Sequence, residues 1–314
     1  MNFGFDVPVT GPMADPDSIG LIARGGEELG FSHAYTSDHI VVPTSIASAY
    51  PYTPDGSAPF GDSFLELLTT LSFLAGVTSR ARLVSSVMVV PYRAAVHTAK
   101  VLSTIDVLSD GRLTVGVGVG WMEEEFEALG TPPFAERGRV TDEYLAVFRE
   151  LWRAENPEFR GDYVSFSDIA FEPKPVQVPH PPIWIGGESP PALRRAARHG
   201  DGWYPISYRT AYPMHTLAAF RASLDRLHAL ALEAGRDPSD IEITYHAGVY
   251  DRREAETLAG GERKAFTGTD GQIADDIRRF EEAGVSNVFW TFPGERTGQV
   301  LEWMERFMSE VVNR

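Results

Sequence analysis

Cysteine is absent from this chain of 314 residues. Disulfide bonds, thiolate nucleophiles and metal sites with Cys ligands are therefore excluded. Metal sites based on histidine are not indicated either, because the eight His residues form no HExxH and no HxH pattern. The sequence also lacks a G-x-S-x-G segment, which weakens the case for a serine hydrolase. These absences argue against three common classes of enzyme.

Lysine is scarce as well. It occurs only at positions 100, 174 and 264, so most cationic side chains are arginine, and the formal net charge is −16. A nucleic acid is not an expected partner, because neutralising its phosphates requires clustered Lys and Arg.

Long apolar runs are also missing. No stretch of about 18 apolar residues occurs, so we expect no membrane span. The N-terminal segment MNFGFDVPV lacks the basic region and apolar run of a signal peptide. A cytoplasmic location is therefore the default expectation.

Apolar runs alternate with helical patterns along most of the chain. This alternation predicts eight strands, at 3–7, 33–36, 83–90, 113–117, 183–185, 202–205, 241–246 and 287–290. The run 83–90 has almost no polar alternation, which indicates burial on both faces of a parallel sheet. Eight strands with helices between them predict an α/β fold, a (β/α)8 TIM barrel. The rival, a doubly wound open sheet, would need a nucleotide-binding loop near the first strand.

The domain organisation follows from the same pass along the chain. No linker divides the sequence, so we predict a single domain over residues 1–314. Residues 159–172 are typical of a hairpin, which we place in an insertion at about 155–180.

Functional groups in a parallel barrel gather where the strands end. Asp38 and His39 close the second strand. A neutral imidazole beside a carboxylate could exchange protons near neutral pH, although a helix-capping Asp and a surface His would give the same pattern. Ser86 and Val87 could mark a bulge in the third strand, although spacing alone favours an ordinary strand serine. His246 ends the seventh strand and could point into the barrel mouth.

The fourth strand leaves the barrel through a glycine-rich segment. Gly116, Gly118 and Gly120 form G-x-G-x-G and are followed by Trp121. A dinucleotide-binding fingerprint needs G-x-G-x-x-G after the first strand of a βαβ unit. The pattern instead indicates a strand exit where the backbone comes close to a ring, with tight internal packing as the alternative.

A second glycine exit follows the fifth strand. Ile185 is followed by Gly186 and Gly187, and Ser189 stands at the N-cap position before two prolines. Free amides at a helix N-terminus bind phosphate well, so this segment favours an anion site over a plain turn.

Two further segments have simpler interpretations. Residues 40–61 form a long loop rich in aromatic residues and proline, which could be a lid, a pocket wall or a surface that contacts a second subunit. Glu123, Glu124 and Glu125 are expected to be a solvated helix start near the positive end of the helix dipole.

Taken together, these segments resemble the luciferase-like monooxygenase superfamily, and within it the probable F420-dependent oxidoreductases. The matching pieces are Ser37-Asp38-His39, VVPTSIASAYPYTPDG, RARLVSSVMVVPYR, DVLSDGRLTVGVGVGWMEEEFEALG, FEPKPVQVPHPPIWIGG and HGDGWYP. The resemblance implies a TIM barrel, a homodimer, a flavin-type ring in the barrel mouth and a small-molecule substrate.

The resemblance also implies roles for individual residues. The Ser86–Val87 bond would be a non-prolyl cis peptide behind the ring, residues 119–120 would line its edge, and residues 185–189 would hold its phosphate. The cofactor-binding residues implied are Ser86, Val87, Val119, Gly120, Trp121, Ile185, Gly186, Gly187 and Ser189.

Asp38 and His39 match a pair that relatives place at the ring and the substrate, so they are the candidate catalytic residues, with His39 as the acid/base. The deazaflavin-dependent sugar-phosphate dehydrogenases carry a catalytic Glu where this chain has Trp121. Their proton donor and their substrate therefore do not transfer. The expected reaction is hydride transfer between F420 and an organic substrate. An FMNH2-dependent monooxygenase and a non-catalytic flavin or deazaflavin carrier are the alternatives.

Overall fold

The computed structural model describes residues 1–59, 61, 63–251 and 254–313. Their strands are β1 (Asn2–Asp6), β2 (His33–Thr36), β3 (Arg82–Ser85), β4 (Met88–Val89), β5 (Leu113–Gly118), β6 (Phe159–Arg160), β7 (Ser165–Phe166), β8 (Ile183–Gly186), β9 (Gly202–Tyr204), β10 (Glu242–Val249) and β11 (Asn287–Thr291). Their α-helices are α1 (Pro16–Glu28), α2 (Leu67–Val77), α3 (Ala95–Leu108), α4 (Glu123–Leu129), α5 (Arg137–Arg153), α6 (Pro190–His199), α7 (Leu217–Glu233), α8 (Asp270–Glu282) and α9 (Thr297–Phe307). None of these helices combines the length and the apolarity that a membrane span requires.

The main sheet closes on itself. Its strand order is β3-β2-β1-β11-β10-β9-β8-β5-β4, all neighbours are parallel, and an additional pairing of β3 with β5 completes the circle. The predicted (β/α)8 barrel is confirmed. Strands β6 and β7 pair antiparallel, which confirms a hairpin inside the predicted 155–180 insertion.

Aromatic side chains fill the interior of the barrel. Residues from well-separated strands contact one another there, namely Tyr35, Val84, Trp184, Tyr204 and Phe289. A larger apolar cluster lies between the strands and the surrounding helices. The barrel is therefore a packed core, and open chemistry is confined to its ends.

The third barrel strand differs from the prediction. The apolar run 83–90 predicts one continuous strand, but the structure divides it into β3 and β4. The reason is a cis peptide bond between Ser86 and Val87, which interrupts the ladder at that point. The two halves pair with different parts of β5, at Leu113 and Val117.

Candidate active site

His39 lies just beyond β2, at the end of the barrel where the strands finish. Its Nδ1 lies 2.7 Å from Oε2 of Glu125 in α4. His39 is 8% exposed and Glu125 is wholly buried. Because an ionised carboxylate only accepts hydrogen bonds, the contact assigns a proton to Nδ1 of His39.

Glu125 is held firmly in place. Its carboxylate also accepts hydrogen bonds from the Tyr92 hydroxyl at 2.8 Å and from the amides of Ile40 and Val41 at 2.8 and 3.2 Å. Burial raises its pKa, but the hydrogen bonds and the charge of His39 outweigh that effect, so the pKa is lowered overall. Glu125 is therefore ionised at neutral pH and fixes both the ring of His39 and the chain that follows it.

The solvated helix start predicted for the three glutamates is only partly correct. Glu123 is exposed at the start of α4, as expected, whereas Glu125 points inward. Glu124 accepts hydrogen bonds from the amides of Ala47 and Ser48 at 2.7 and 3.0 Å. Two of the three carboxylates therefore bind the preceding loop, because consecutive residues of a helix point in different directions.

Asp38 has a different environment from its neighbour. It is 4% exposed, and Arg93 donates to both of its carboxylate oxygens at 2.7 and 2.9 Å. The amide of Val89 donates to the same group at 2.8 Å, and Arg93 also pairs with Glu66. The sequence pair is therefore divided. His39 pairs with Glu125, whereas Asp38 pairs with the half-buried Arg93, which links it to Glu66 at the N-cap of α2.

The Ser86–Val87 bond is cis, as the resemblance implies. Both residues are half-buried, and Ser86 Oγ lies 2.9 Å from the hydroxyl oxygen of Tyr204 in β9. The segment between β3 and β4 therefore presents a small polar side chain and a valine at the carboxyl end of the third barrel strand.

The neighbouring glycines make room for Ser85 and Val87. A Cβ atom at Gly116 would lie 2.1 Å from the carbonyl oxygen of Ser85, and one at Gly118 would lie 2.7 Å from a methyl carbon of Val87. A Cβ at Gly186 in β8 would approach the other methyl carbon of Val87 to 3.0 Å. Tight internal packing, the alternative interpretation, therefore accounts for glycine at 116 and 118.

Gly120 and Trp121 form the turn into α4. Gly120 has a φ of +85°, and a Cβ there would lie 2.6 Å from the ring of Phe126. Both constraints select glycine. The half-buried ring of Trp121 lies 6.3 Å from that of His39, centroid to centroid. Trp121 therefore stands beside the imidazole.

An aromatic wall, formed by Tyr50, Tyr52, Trp121 and Tyr208, crosses the mouth of the barrel. The ring centroids of Tyr50 and Trp121 are 5.2 Å apart, those of the two loop tyrosines 5.3 Å, and those of Tyr52 and Tyr208 5.9 Å. The amide of Thr210 donates to the Pro51 carbonyl at 3.2 Å. The described part of the 40–61 loop therefore packs its tyrosines against Trp121 and Tyr208. Phe60 lies outside the described residues.

A second polar cluster lies across the barrel. His246 Nε2 is 3.1 Å from the Tyr35 hydroxyl, and its Nδ1 accepts from the amide of Gly248 at 3.2 Å. Burial lowers the pKa of His246 to about 4, so its ring is neutral. Asp6, the last residue of β1, accepts from the amide of Phe292, and burial raises the pKa of Asp6 to about 6. The sequence singled out His246, whereas the other members become visible only when the barrel closes.

The glycine exit after β8 leads into α6. The helix begins at Pro190, and Ser189 Oγ accepts from the amide of Ala192 at 3.4 Å, so the predicted N-cap is confirmed. Gly187 has a φ of +104°. Glu188 is 3% exposed and forms an ion pair with Arg209, with 3.2 Å between Oε2 and Nη1.

A closed (β/α)8 barrel with a buried His–Glu pair and an aromatic wall at its mouth defines a barrel enzyme. The family model described as luciferase-like monooxygenase matches residues 2–259. The chain therefore belongs to the luciferase-like monooxygenase family, and it is an oxidoreductase.

The chain is similar in sequence to a protein named for FMNH2 and similar in fold to one named for F420. An uncharacterized protein of Mycobacterium tuberculosis is 31% identical over 273 residues, covering 86% of this chain and 83% of the relative. The FMNH2-dependent dimethylsulfone monooxygenase of Pseudomonas putida is 36% identical over 145 residues, covering 46% of this chain and 39% of that protein. The F420-dependent tetrahydromethanopterin reductase of Methanopyrus kandleri has a TM-score of 0.75 at 17% identity, covering 99% of this chain and 98% of that chain. This last likeness concerns the fold alone.

Proposed function

We propose that this oxidoreductase transfers a hydride between the deazaflavin F420 and a small organic substrate, with His39 as the acid/base. The observation that carries the proposal is the buried His39–Glu125 pair beside the aromatic wall. Hydride transfer to or from a carbonyl or imine carbon leaves one proton to be delivered or removed. Imidazole is the side chain best suited to that exchange near neutral pH.

The geometry of the pair supports this division of roles. Nδ1 of His39 is engaged by the carboxylate of Glu125, so the proton passes through Nε2. The carboxylate stabilises the imidazolium that forms when His39 accepts a proton, and it holds the ring in one orientation. Glu125 is a positioning residue in this proposal, because it acts through His39.

In this proposal, Asp38 has a structural role. Its carboxylate is occupied by Arg93 and by the amide of Val89. The group therefore positions the β2 exit, from which His39 projects, and does not itself exchange the substrate proton. Trp121 and the rest of the aromatic wall exclude water from the reacting centre.

The residues at the barrel mouth fit a phosphorylated flavin-type cofactor. Arg209 Nε is buried and has no acceptor among the described residues, and the same guanidinium lies beside Gly187. Bound there, reduced F420 would supply a hydride, that is, one hydrogen nucleus with two electrons, and the separate proton of the reduction would come from the protein. We assign its ring to residues 86–87 and 119–121. Residues 185–189 would surround its phosphate.

The test begins with binding. Purified protein is titrated with F420 and with FMN, and fluorescence quenching is followed. Tighter binding of F420 than of FMN supports the proposal. The variant His39→Ala should retain F420 affinity and lose about 10²- to 10⁴-fold in turnover with F420H2. His97→Ala, which removes an exposed histidine on α3, is the matched control. Full turnover by His39→Ala would remove His39 from the mechanism.

A second candidate is an FMNH2-dependent monooxygenase on the same barrel. The relative from Pseudomonas putida, whose name states that cofactor, is the observation that favours it. Tighter binding of FMN than of F420, with oxygen uptake in the presence of a flavin reductase, would establish this activity. Tight cofactor binding without turnover on any acceptor would instead indicate a non-catalytic carrier.

The assembly and location are proposed on the resemblance. We propose a homodimer in the cytoplasm. The outer face of α3 leaves Val96, Val107 and Leu108 exposed, which favours a further contact there. Light scattering at micromolar concentration checks the dimer: a mass of one chain would contradict it.

A further inference from the structure

The first turn of α6 has few donors left for an anion. Pro190 and Pro191 occupy its first two positions and have no amide hydrogen. The amide of Ala192 donates to Ser189 Oγ, and that of Leu193 to the Ser189 carbonyl. The helix N-terminus supplies its dipole, but a phosphate there needs hydrogen-bond donors from another element.

Arg209, in the loop after β9, reaches this position. Its Nη1 would lie 3.7 Å from a Cβ atom built on Gly187. The same nitrogen donates to Oε2 of Glu188 at 3.2 Å. Glu188 is itself fixed, because Oε1 accepts from the amide of Ile206 at 2.7 Å. One end of the guanidinium is therefore anchored beside the turn that precedes α6.

The other edge of the guanidinium is unused. Nε is buried and has no acceptor, and Nη2 makes no hydrogen bond to the described residues. Nε and Nη2 form the side-on fork that binds carboxylates and phosphates with two parallel hydrogen bonds. The side chain of Arg209 as a whole is 25% exposed and paired with Glu188, so the buried Nε is its one donor that neither solvent nor a described residue satisfies. A buried donor without an acceptor is unfavourable and requires an explanation.

We propose that Arg209 is an oxyanion receptor, and that its Nε–Nη2 edge binds the phosphate of the cofactor beside the 187–189 turn. The assignment to a cofactor rests on the proposed function. Glu188 is the positioning residue, because its carboxylate holds Nη1 and leaves the opposite edge for the ligand. The carboxylate of Glu188 offsets part of the charge of Arg209 from the Nη1 side of the guanidinium.

The experiment compares ligands that differ by one phosphate. FMN and riboflavin are titrated against the wild type and against Arg209→Gln, and F420 is compared with its dephosphorylated riboflavin-like core. In the wild type, FMN should bind more tightly than riboflavin. In Arg209→Gln this preference should fall about 10- to 100-fold, while riboflavin affinity is unchanged. Arg209→Lys should give an intermediate loss, because it keeps the charge and removes the fork.

Two further variants separate binding from folding. The double variant Glu188→Gln with Arg209→Gln avoids leaving a carboxylate buried without its partner, and it should show the same loss of phosphate preference. Arg278→Gln makes the same charge change at an exposed site on α8 and should leave the preference intact. An unchanged ratio of FMN to riboflavin affinity in both Arg209 variants would overturn the assignment.

A second readout does not depend on the cofactor. Inorganic phosphate should raise the melting temperature of the wild type and not that of Arg209→Gln. If the wild type binds neither F420 nor FMN, the proposed function fails, and this phosphate shift alone then decides whether the oxyanion site exists. Equal shifts in the two proteins would refute the site.

Discussion

Nδ1 of His39 and Oε2 of Glu125 are joined at 2.7 Å, although 86 residues separate them in the sequence. The ring follows the end of β2, and the carboxylate lies in the first turn of α4. Their contact decides which imidazole nitrogen carries a proton. The orientation of the candidate acid/base is therefore set by a helix that belongs to a different βα unit.

Glu125→Gln tests this relationship. A glutamine can still accept from the loop amides, but it no longer stabilises the imidazolium of His39. We expect kcat to fall by about 100-fold or more, and the limb of the pH–rate profile that belongs to imidazole protonation to move to lower pH. The pH dependence of kcat measures both effects.

Glu124→Gln is the control for that experiment. It lies on the same helix and contacts only the amides of residues 47–48. Its pH–rate profile should keep the shape of the wild type. A Glu125→Gln profile that merely scales down without shifting would show that Glu125 serves the fold and not the acid/base.

Asp38→Asn should affect stability more than binding. The substitution removes the charge that pairs with Arg93 and leaves that arginine with only Glu66. Leaving a buried charge wholly unpaired costs about 3–5 kcal/mol of unfolding free energy, and because Arg93 keeps Glu66 we expect a loss of about 1–3 kcal/mol. Urea denaturation measures the loss. Asp275→Asn, which disrupts an exposed pair with Arg278, should cost well under 1 kcal/mol. Equal losses in the two variants would contradict the structural role of Asp38.

Gly116→Ala should be strongly destabilising. The new methyl would lie 2.1 Å from the carbonyl oxygen of Ser85, and a backbone atom cannot move aside without displacing β3. Overpacking of this kind costs about 1–3 kcal/mol or more. Gly76→Ala is the control, because Gly76 is an exposed helical residue with no atom within 4 Å of the new position. That change should stabilise by about 0.5–1 kcal/mol. Comparable melting temperatures for the two variants would disprove the packing argument.

Asp6→Asn should stabilise the protein at neutral pH and not in acid. The pKa of Asp6 is raised to about 6 in the fold from an ordinary value of 3.8, so ionisation favours the unfolded state. The resulting penalty is absent below pH 4, grows as the pH rises to 6, and reaches about 3 kcal/mol above that. Asparagine keeps an oxygen to accept from the amide of Phe292. Unfolding free energies of both proteins at pH 4 and 7 test this; an equal difference at the two pH values would refute it.

Two buried histidines act in the opposite sense. Burial lowers the pKa of His246 to about 4 and that of His33 to about 3. Each therefore contributes stability that is present above pH 6.5 and is lost as the pH falls toward those values. His246 and His33 are unchanged in Asp6→Asn, so their contributions to stability cancel when the variant is compared with the wild type. The difference that remains belongs to the carboxylate of Asp6.

The barrel could be predicted from the sequence because its strands and the ends of those strands are marked by local residue patterns. Apolar runs such as 113–117 and 183–185 read as buried parallel strands, and glycine or proline marks their ends. The break at Ser86–Val87 could not be derived from the pattern of 83–90, since the bond is supported by contacts from β5 and β8. Only the family resemblance pointed to it.

Only part of the candidate site could be predicted from the sequence, because several of its contacts join segments that are far apart along the chain. His39 could be found because strand ends are where barrel chemistry gathers. The inward turn of Glu125 could not, because three successive glutamates at a helix start give no sign of which one faces the core. Arg209 and Glu188 lie 21 positions apart and meet only when β8 and β9 pair. No spacing rule connects them.

The anchoring of the loop over the mouth has a consequence for how its side chains can vary. Glu124 and Glu125 grip the backbone amides of residues 40–41 and 47–48, and every amino acid except proline offers such an amide. These hydrogen bonds therefore do not depend on which side chains the loop carries. Side chains in the tyrosine-bearing stretch can therefore change without displacing the His39–Glu125 pair, so the residues over the barrel mouth can diversify while this pair keeps its geometry.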